Sequence, residues 1–190
     1  MRYCLPVNTP SIKSAAITAP AATEYAPYYG RYVSLVEGND LVATMPEQSV
    51  TMQKFFSRIS EKDAELRYDP AKWSIKQMLG HIVDTERVFA YRALCIARND
   101  RTPLPGFEQD DYVRFGPFEH CRWADLIDEF GAVRTSNIAL FRGLDEQAWM
   151  RRGTASQNEV TVRALGYMIV GHGIHHRNVL QQKYLPLLGH

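Results

Sequence analysis

Near the C-terminus an apolar stretch carries His172, Gly173, Ile174, His175 and His176. On a helix this pattern sets imidazoles at i, i+3 and i+4, which share one face. Two neutral imidazoles one turn apart can ligate the same divalent ion, as in helical metal motifs of the H-x-x-x-H kind. His172 and His176 have that spacing. A third donor has to come from elsewhere, and the best candidate is His81, in a second apolar helical stretch, Met78-Leu79-Gly80-His81-Ile82-Val83. Two helices packed side by side would bring the three together.

The bland reading of any one histidine is a core residue that donates to a backbone carbonyl. It is weaker for a pair. Each buried ring nitrogen then needs its own donor or acceptor, and protonating both rings would place like charges together in a poorly solvated position. A metal removes that conflict, and three histidine ligands leave a coordination position for water or substrate, the arrangement of catalytic rather than closed structural sites. Asp84 and Thr85 follow His81 by three and four positions on the same face, so either can orient an imidazole or contact a ligand in the open position. Glu86 points elsewhere and is expected in a structural ion pair with a neighbouring helix. His175, rotated by about 100 degrees from His176, reads as a boundary residue and the runner-up ligand. His120 and His190, in a loop and at the terminus, read as solvated. No serine or cysteine triad and no glycine-rich phosphate loop is present.

The elements that must position these groups are helical. Residues 1–23, with Pro6, Pro10 and Pro20 and no period, read as an extended arm, and residues 24–190 as one domain. A short aromatic helix follows, with Tyr25, Tyr28, Tyr29, Tyr32 and Val33, stopped near Gly38. A longer helix is expected after Pro46, with Val50, Met52, Phe55, Phe56 and Ile59 as its apolar stripe. Ser74 and Gln77 form a capping box flanked by Trp73 and Met78, which fixes the start of a helix running to about residue 98. His81 falls in its second turn. Residues 100–120 form a long connection with Pro103, Pro105, Gly106, Gly116 and Pro117, of a length more often functional than idle. Helices over about 123–141 and 162–184 complete the set. No segment shows a period of two, so four amphipathic helices in a bundle bury these stripes most simply.

Bulk properties narrow the function. A chain of 190 residues with 45% hydrophobic residues can bury one good core. A formal net charge of +1 with mixed signs gives no basic stripe, which argues against nucleic acid. Three scattered cysteines, Cys4, Cys95 and Cys121, suit a reducing compartment. With no apolar run of membrane length and no signal-like h-region, a cytoplasmic protein without a membrane partner is expected.

Three motifs then occur in order: Trp73-Ser74-Ile75-Lys76 leading to Gly80-His81-Ile82-Val83-Asp84-Thr85-Glu86-Arg87, Pro103-Leu104-Pro105-Gly106-Phe107-Glu108-Gln109-Asp110, and Gly171-His172-Gly173-Ile174-His175-His176. With them the chain between Tyr25 and Tyr184 resembles the DinB-like superfamily, the DinB/YfiT-like metalloenzymes. The resemblance implies an all-α, up-and-down four-helix bundle, here with a short extra N-terminal helix and the extended arm. It implies a divalent metal, commonly nickel, zinc or iron, held by His81, His172 and His176. It further implies frequent homodimers and, among characterised members, transfer of small thiols such as bacillithiol or mycothiol, including thiol-dependent isomerisation. Many members have no known reaction. The chain departs from the simplest pattern in its arm, expected to make dimer contacts, and in Gly173, expected to widen access to the metal.

The leading expectation is therefore a metal-dependent enzyme, thiol S-transferase-like, that activates a small thiol or water. Phe107, Gln109, Asp110 and Tyr112 would wall the pocket, and Asp84 or Asp110 would assist proton transfer. The alternatives are a metal-dependent hydrolase, a non-catalytic stress-response or interaction module stapled by its metal, and a metal-free bundle with ordinary core histidines.

Overall fold

The computed structural model describes residues 16–188. In chain order its elements are α1 (Gly30–Val33), α2 (Leu41–Phe56), α3 (Ile75–Ala97), α4 (Gln109–Phe115), α5 (Trp123–Arg142), α6 (Glu146–Met150), β1 (Arg152–Ala155), β2 (Asn158–Thr161) and α7 (Val162–Val179). The four long helices α2, α3, α5 and α7 make the expected all-α bundle. Around it α2 neighbours α5 and α7, and α3 neighbours the same two.

Contacts along the helices give their directions. Glu86 and Arg87 of α3 meet Arg134 and Glu129 of α5, and the start of α5 meets Glu61, which also pairs with Lys76 near the start of α3. α3 and α5 therefore run parallel, while α2 and α7 run the other way. Strict up-and-down alternation gives way at one place, residues 98–122. That segment must travel back along the bundle, about 1.5 Å per residue over the 23 residues of α3. Its length has a structural cause, and it passes the middle of the bundle on the way.

The apolar core is split in two. One cluster joins Leu41, Met45, Phe89, Ala93, Phe141, Trp149 and Leu165; the other joins Met52, Phe56, Ile75, Leu79, Phe130 and Leu180. Between them, on all four long helices, lie the buried polar residues Gln48, His81, Thr85, Glu86, Arg134, Asn137 and His172. This polar layer holds every sequence-derived candidate that is buried.

Several local expectations change. α2 begins before Pro46, because Asp40 caps it by accepting from the Val42 amide at 3.1 Å. Pro46 sits inside the helix, where its missing N–H costs a single backbone bond. Val50 is half exposed, so the apolar stripe of α2 runs instead through Leu41, Met45, Met52 and Phe56. The aromatic segment is a 3-10 turn, Pro27–Tyr29, followed by the single turn α1. A hairpin absent from the sequence reading joins β1 and β2, with Ser156 and Gln157 at φ of 50° and 64° in the left-handed geometry of a two-residue turn. Four-residue strands are too short to display a period of two. Leu104 docks on this hairpin through Leu104 N–H to Thr154 O at 2.9 Å and Ser156 N–H to Leu104 O at 3.0 Å. The hairpin thereby holds the long connection against the bundle.

The described part of the expected arm is tied down. Ile17 donates to Asp40 at 3.2 Å, and its carbonyl accepts from the Leu41 amide at 2.9 Å and the Tyr167 hydroxyl at 3.0 Å. Glu24 is buried and accepts from Thr161 and Arg163. Residues 1–15 and His190 lie outside the described residues. Among the described residues no helix is long and apolar enough to cross a membrane.

Candidate metal centre

α3 starts where the capping box places it: Ser74 Oγ accepts from the Gln77 amide at 3.1 Å, and Gln77 Oε1 accepts from the Ser74 amide at 3.0 Å. α7 starts at Thr161, whose hydroxyl accepts from the Ala164 amide at 3.0 Å. With both starts fixed, the antiparallel packing of α3 on α7 sets His81 opposite His172 and His176. His81 Nε2 lies 3.0 Å from His172 Nε2, and His176 Nε2 lies 3.0 Å from the same atom. All three donor atoms fall within 4.8 Å of one another.

Thr85 Oγ1 is 3.4 Å from His81 Nδ1. If that nitrogen carries the proton it donates to Thr85, and Nε2 then presents its lone pair to the cluster. Trp73 covers the His81 ring at 4.7 Å between centroids. Burial, reinforced by charge on His175, pushes His81 down to about 4. Burial and the neighbouring imidazoles push His172 and His176 well below the usual histidine range. The site is thus a set of neutral nitrogens converging on one point. Among the described residues no carboxylate or cysteine joins the cluster.

Such a donor set fits a divalent ion. Two imidazole nitrogens at about 2.1 Å from one ion, at angles of about 90–109°, are about 3.0–3.4 Å apart. The two separations of 3.0 Å meet that requirement. A neutral ring nitrogen has either one proton or one lone pair, so His172 Nε2 cannot make a well-directed hydrogen bond to both of its 3.0 Å neighbours, whereas one cation can accept all three lone pairs.

The open side faces a cavity of about 260 Å³, reached by His81 and His172 and walled by Tyr28, Tyr29, Tyr32 and Phe89 and by Phe107, Glu108 and Gln109. The tyrosine wall is set by Gly171. A Cβ there would collide with the Tyr32 carbonyl, so glycine lets α1 lie directly on α7. Tyr32 then stands edge-on to His172 at 5.2 Å and to His175 at 5.3 Å. Burial raises its hydroxyl far above the ordinary tyrosine range.

Other candidates fall elsewhere. Asp84 pairs with Arg87 at 3.5 Å, with its carboxyl raised by burial, and Asp110 is exposed in the first turn of α4; neither is among the residues lining the cavity. Of the expected loop wall, Phe107 and Gln109 are present, Glu108 joins them, and Tyr112 borders a neighbouring cavity. His175 is partly buried against Tyr32 and outside the cluster, and His120 is exposed. Gly173 does not widen access to the site. A Cβ on it would lie 2.8 Å from Gln48 Nε2 and 3.8 Å from Arg134, so its role is to admit the buried Gln48 and Arg134 side chains. The tyrosines are what sequence reasoning missed, and the glycine just before His172 was the available signal.

Fold and site together define a helical bundle with a three-histidine metal-type cluster in its polar midlayer. The family model of the DinB superfamily matches residues 48–180, and the chain belongs to that superfamily. YfiT from Bacillus subtilis, described as a probable metal-dependent hydrolase with an unusual four-helix bundle topology, is similar in structure with a TM-score of 0.67 and 12% identity over 90% of this chain and 93% of that one. The mycothiol-dependent maleylpyruvate isomerase is similar with a TM-score of 0.59 and 10% identity over 78% of this chain. This chain spans 59% of the isomerase's length. No curated protein matches. At these identities the likeness is one of fold.

Proposed function

We propose that His81, His172 and His176 hold a divalent metal ion and that the chain is a metal-dependent enzyme acting on a small thiol or on water at the open position. The observation that carries this is the convergence of three neutral Nε2 atoms beside a cavity with no further protein ligand among the described residues. Nickel, zinc and iron all suit such a nitrogen set. When bound, the ion supplies Lewis acidity and lowers the pKa of a thiol or water in its open position.

The chain's own residues do the remaining work. Thr85 orients His81, and Tyr32 and Phe89 exclude water from one side of the cavity. Glu108, the one carboxylate among the lining residues, accepts the proton that a thiol or water releases. Asp84 and Asp110, outside the lining, are assigned no step. Thiol S-transfer is supported by the description of the isomerase as mycothiol-dependent, and hydrolysis by that of YfiT as a probable metal-dependent hydrolase. A homodimer belongs to the same proposal; light scattering that returns about twice 21.7 kDa supports it, and a monomer overturns it.

Cobalt substitution tests the open position. Adding a low-molecular-weight thiol to the cobalt-loaded protein is expected to change the visible absorption of the ion. An unchanged spectrum, together with a large loss of thermal stability on chelation, would favour a closed structural staple instead.

A further inference from the structure

Three phenols line the histidine-lined cavity, and their hydroxyls are not equivalent. Those of Tyr28 and Tyr32 are bonded to each other. Tyr29 stands edge-on to Tyr28 at 5.2 Å and to Phe89 at 6.0 Å, and Phe89 in turn lies 6.3 Å from the His172 ring. All of these rings line the cavity. The segment that carries Tyr29 is held on both sides: Glu24 before it pairs with Arg163 and accepts from Thr161 at 2.9 Å, and α1 after it lies on Gly171.

Arg92 is what singles Tyr29 out. It is 2% exposed, its Nη2 donates to the Pro105 carbonyl at 2.6 Å and to Ser156 Oγ at 3.0 Å, and its guanidinium also meets the Tyr29 hydroxyl. The guanidinium carbon lies 5.8 Å from the ring centroids of Phe89 and Phe107, behind the cavity lining rather than in it. Arginine only donates, whereas a phenol has one hydrogen and acceptor lone pairs. The Tyr29 oxygen therefore meets Arg92 as an acceptor, and its own hydrogen is left for another partner. Among the described residues no acceptor takes that hydrogen. Burial raises the hydroxyl and the Arg92 charge only partly opposes it, so Tyr29 keeps its proton, and a cation on the oxygen makes the O–H a stronger donor.

We propose that Tyr29 recognises the substrate by donating its hydroxyl hydrogen to a carbonyl oxygen, with Arg92 as the positioning residue behind it, so that the molecule taken by this site is a small neutral carbonyl compound. This rests on the reading of the histidine-lined cavity as the substrate site. Size agrees: about 260 Å³ is below the roughly 300–1,000 Å³ of pockets for drug-sized ligands. Charge agrees as well, because Glu108 in the lining opposes an anion and Arg92 behind it opposes a cation.

The probe is 4-dimethylaminobenzaldehyde, whose absorption moves to longer wavelength when its carbonyl accepts a hydrogen bond, titrated into the metal-free full-length chain. N,N-dimethylaniline, which lacks the carbonyl, is its control. Working without metal keeps the two readings apart, because failure of the histidines to bind metal leaves these titrations unaffected. The wild type is expected to bind the aldehyde saturably with a red shift, about three- to tenfold more tightly than dimethylaniline. Tyr29→Phe keeps the ring and is expected to lose both the preference and the shift. A 3,5-difluorotyrosine in place of Tyr29, a stronger donor of nearly the same shape, is expected to enlarge the shift, which a merely structural ring would not do. Arg92→Met is expected to reduce the shift; if it does not fold, the two Tyr29 variants decide. A shift retained in Tyr29→Phe, no enlargement on fluorination, an unchanged shift in folded Arg92→Met, equal binding of dimethylaniline, or no aldehyde binding to the wild type would each overturn the proposal.

Discussion

Two polar groups share the midlayer of the bundle, and they are built to opposite plans. Around Glu86, one carboxylate oxygen accepts from Arg134 Nε at 2.6 Å and Asn137 at 3.1 Å, and the other from Arg134 Nη2 at 2.8 Å. Arg134 also donates to Gln48, whose amide donates to the Val170 carbonyl at 3.4 Å. Every charge there has a partner, and four helices are tied together. Around His172, three neutral nitrogens face one another beside a cavity, and His176 Nδ1 is buried with no partner among the described residues. A closed network fixes the arrangement of the helices, whereas an open donor set of this kind could hold a cation. The same layer can carry both because the first makes the second rigid.

The comparison breaks most easily on its closed side. Arg134→Met leaves Glu86 buried and ionised without its cation, and should cost about 3–5 kcal/mol in chemical denaturation. A loss below about 1 kcal/mol would mean that the network does not hold the bundle. On the open side, Gly171→Ala forces α1 off α7 and should cost about 1–3 kcal/mol as overpacking. It should also weaken substrate binding while leaving metal binding intact, since Tyr32 moves and the histidines do not. Simultaneous loss of metal would tie the tyrosine wall to the ligands themselves.

A smaller effect distinguishes a third buried charge from both. Burial alone would raise the Glu24 carboxyl, but hydrogen bonds from Arg163, the Ala21 amide and Thr161 outweigh it and hold it below its ordinary value of 4.5. A carboxyl depressed in the folded state stabilises the protein above the unfolded value, and that stability is lost as pH falls through the folded value. Urea midpoints compared at neutral pH and below 4.5 should therefore fall more in the wild type than in Glu24→Gln. Equal falls would remove Glu24 from the acid response.

Much of this was legible because it depended on local signals. The Ser74–Gln77 box fixed the phase of α3, so His81 could be placed in its second turn, and helical spacing paired His172 with His176. Glu86 could be assigned to an ion pair, but its partner, 48 residues away, left no local mark. The start of α2 is not legible, because Pro46 reads as a boundary in sequence whereas the Asp40 cap decides it. The hairpin was hidden by its four-residue strands, and the parallel course of α3 and α5 has no signature in periodicity. Gly171 and Gly173 look alike in sequence; one admits the Tyr32 backbone and the other the Gln48 side chain. Those are tertiary contacts, visible only once α1 and α2 are laid against α7.

The central claim is that three histidines from two helices form one ion site. Metal content of the purified chain, measured by elemental analysis after equilibration with zinc and removal of loose ions, tests it most directly. One ion per chain is expected for the wild type and for His175→Ala, and none for His81→Ala, His172→Ala or His176→Ala with helicity retained. Full metal retention in all three ligand variants would contradict the assignment.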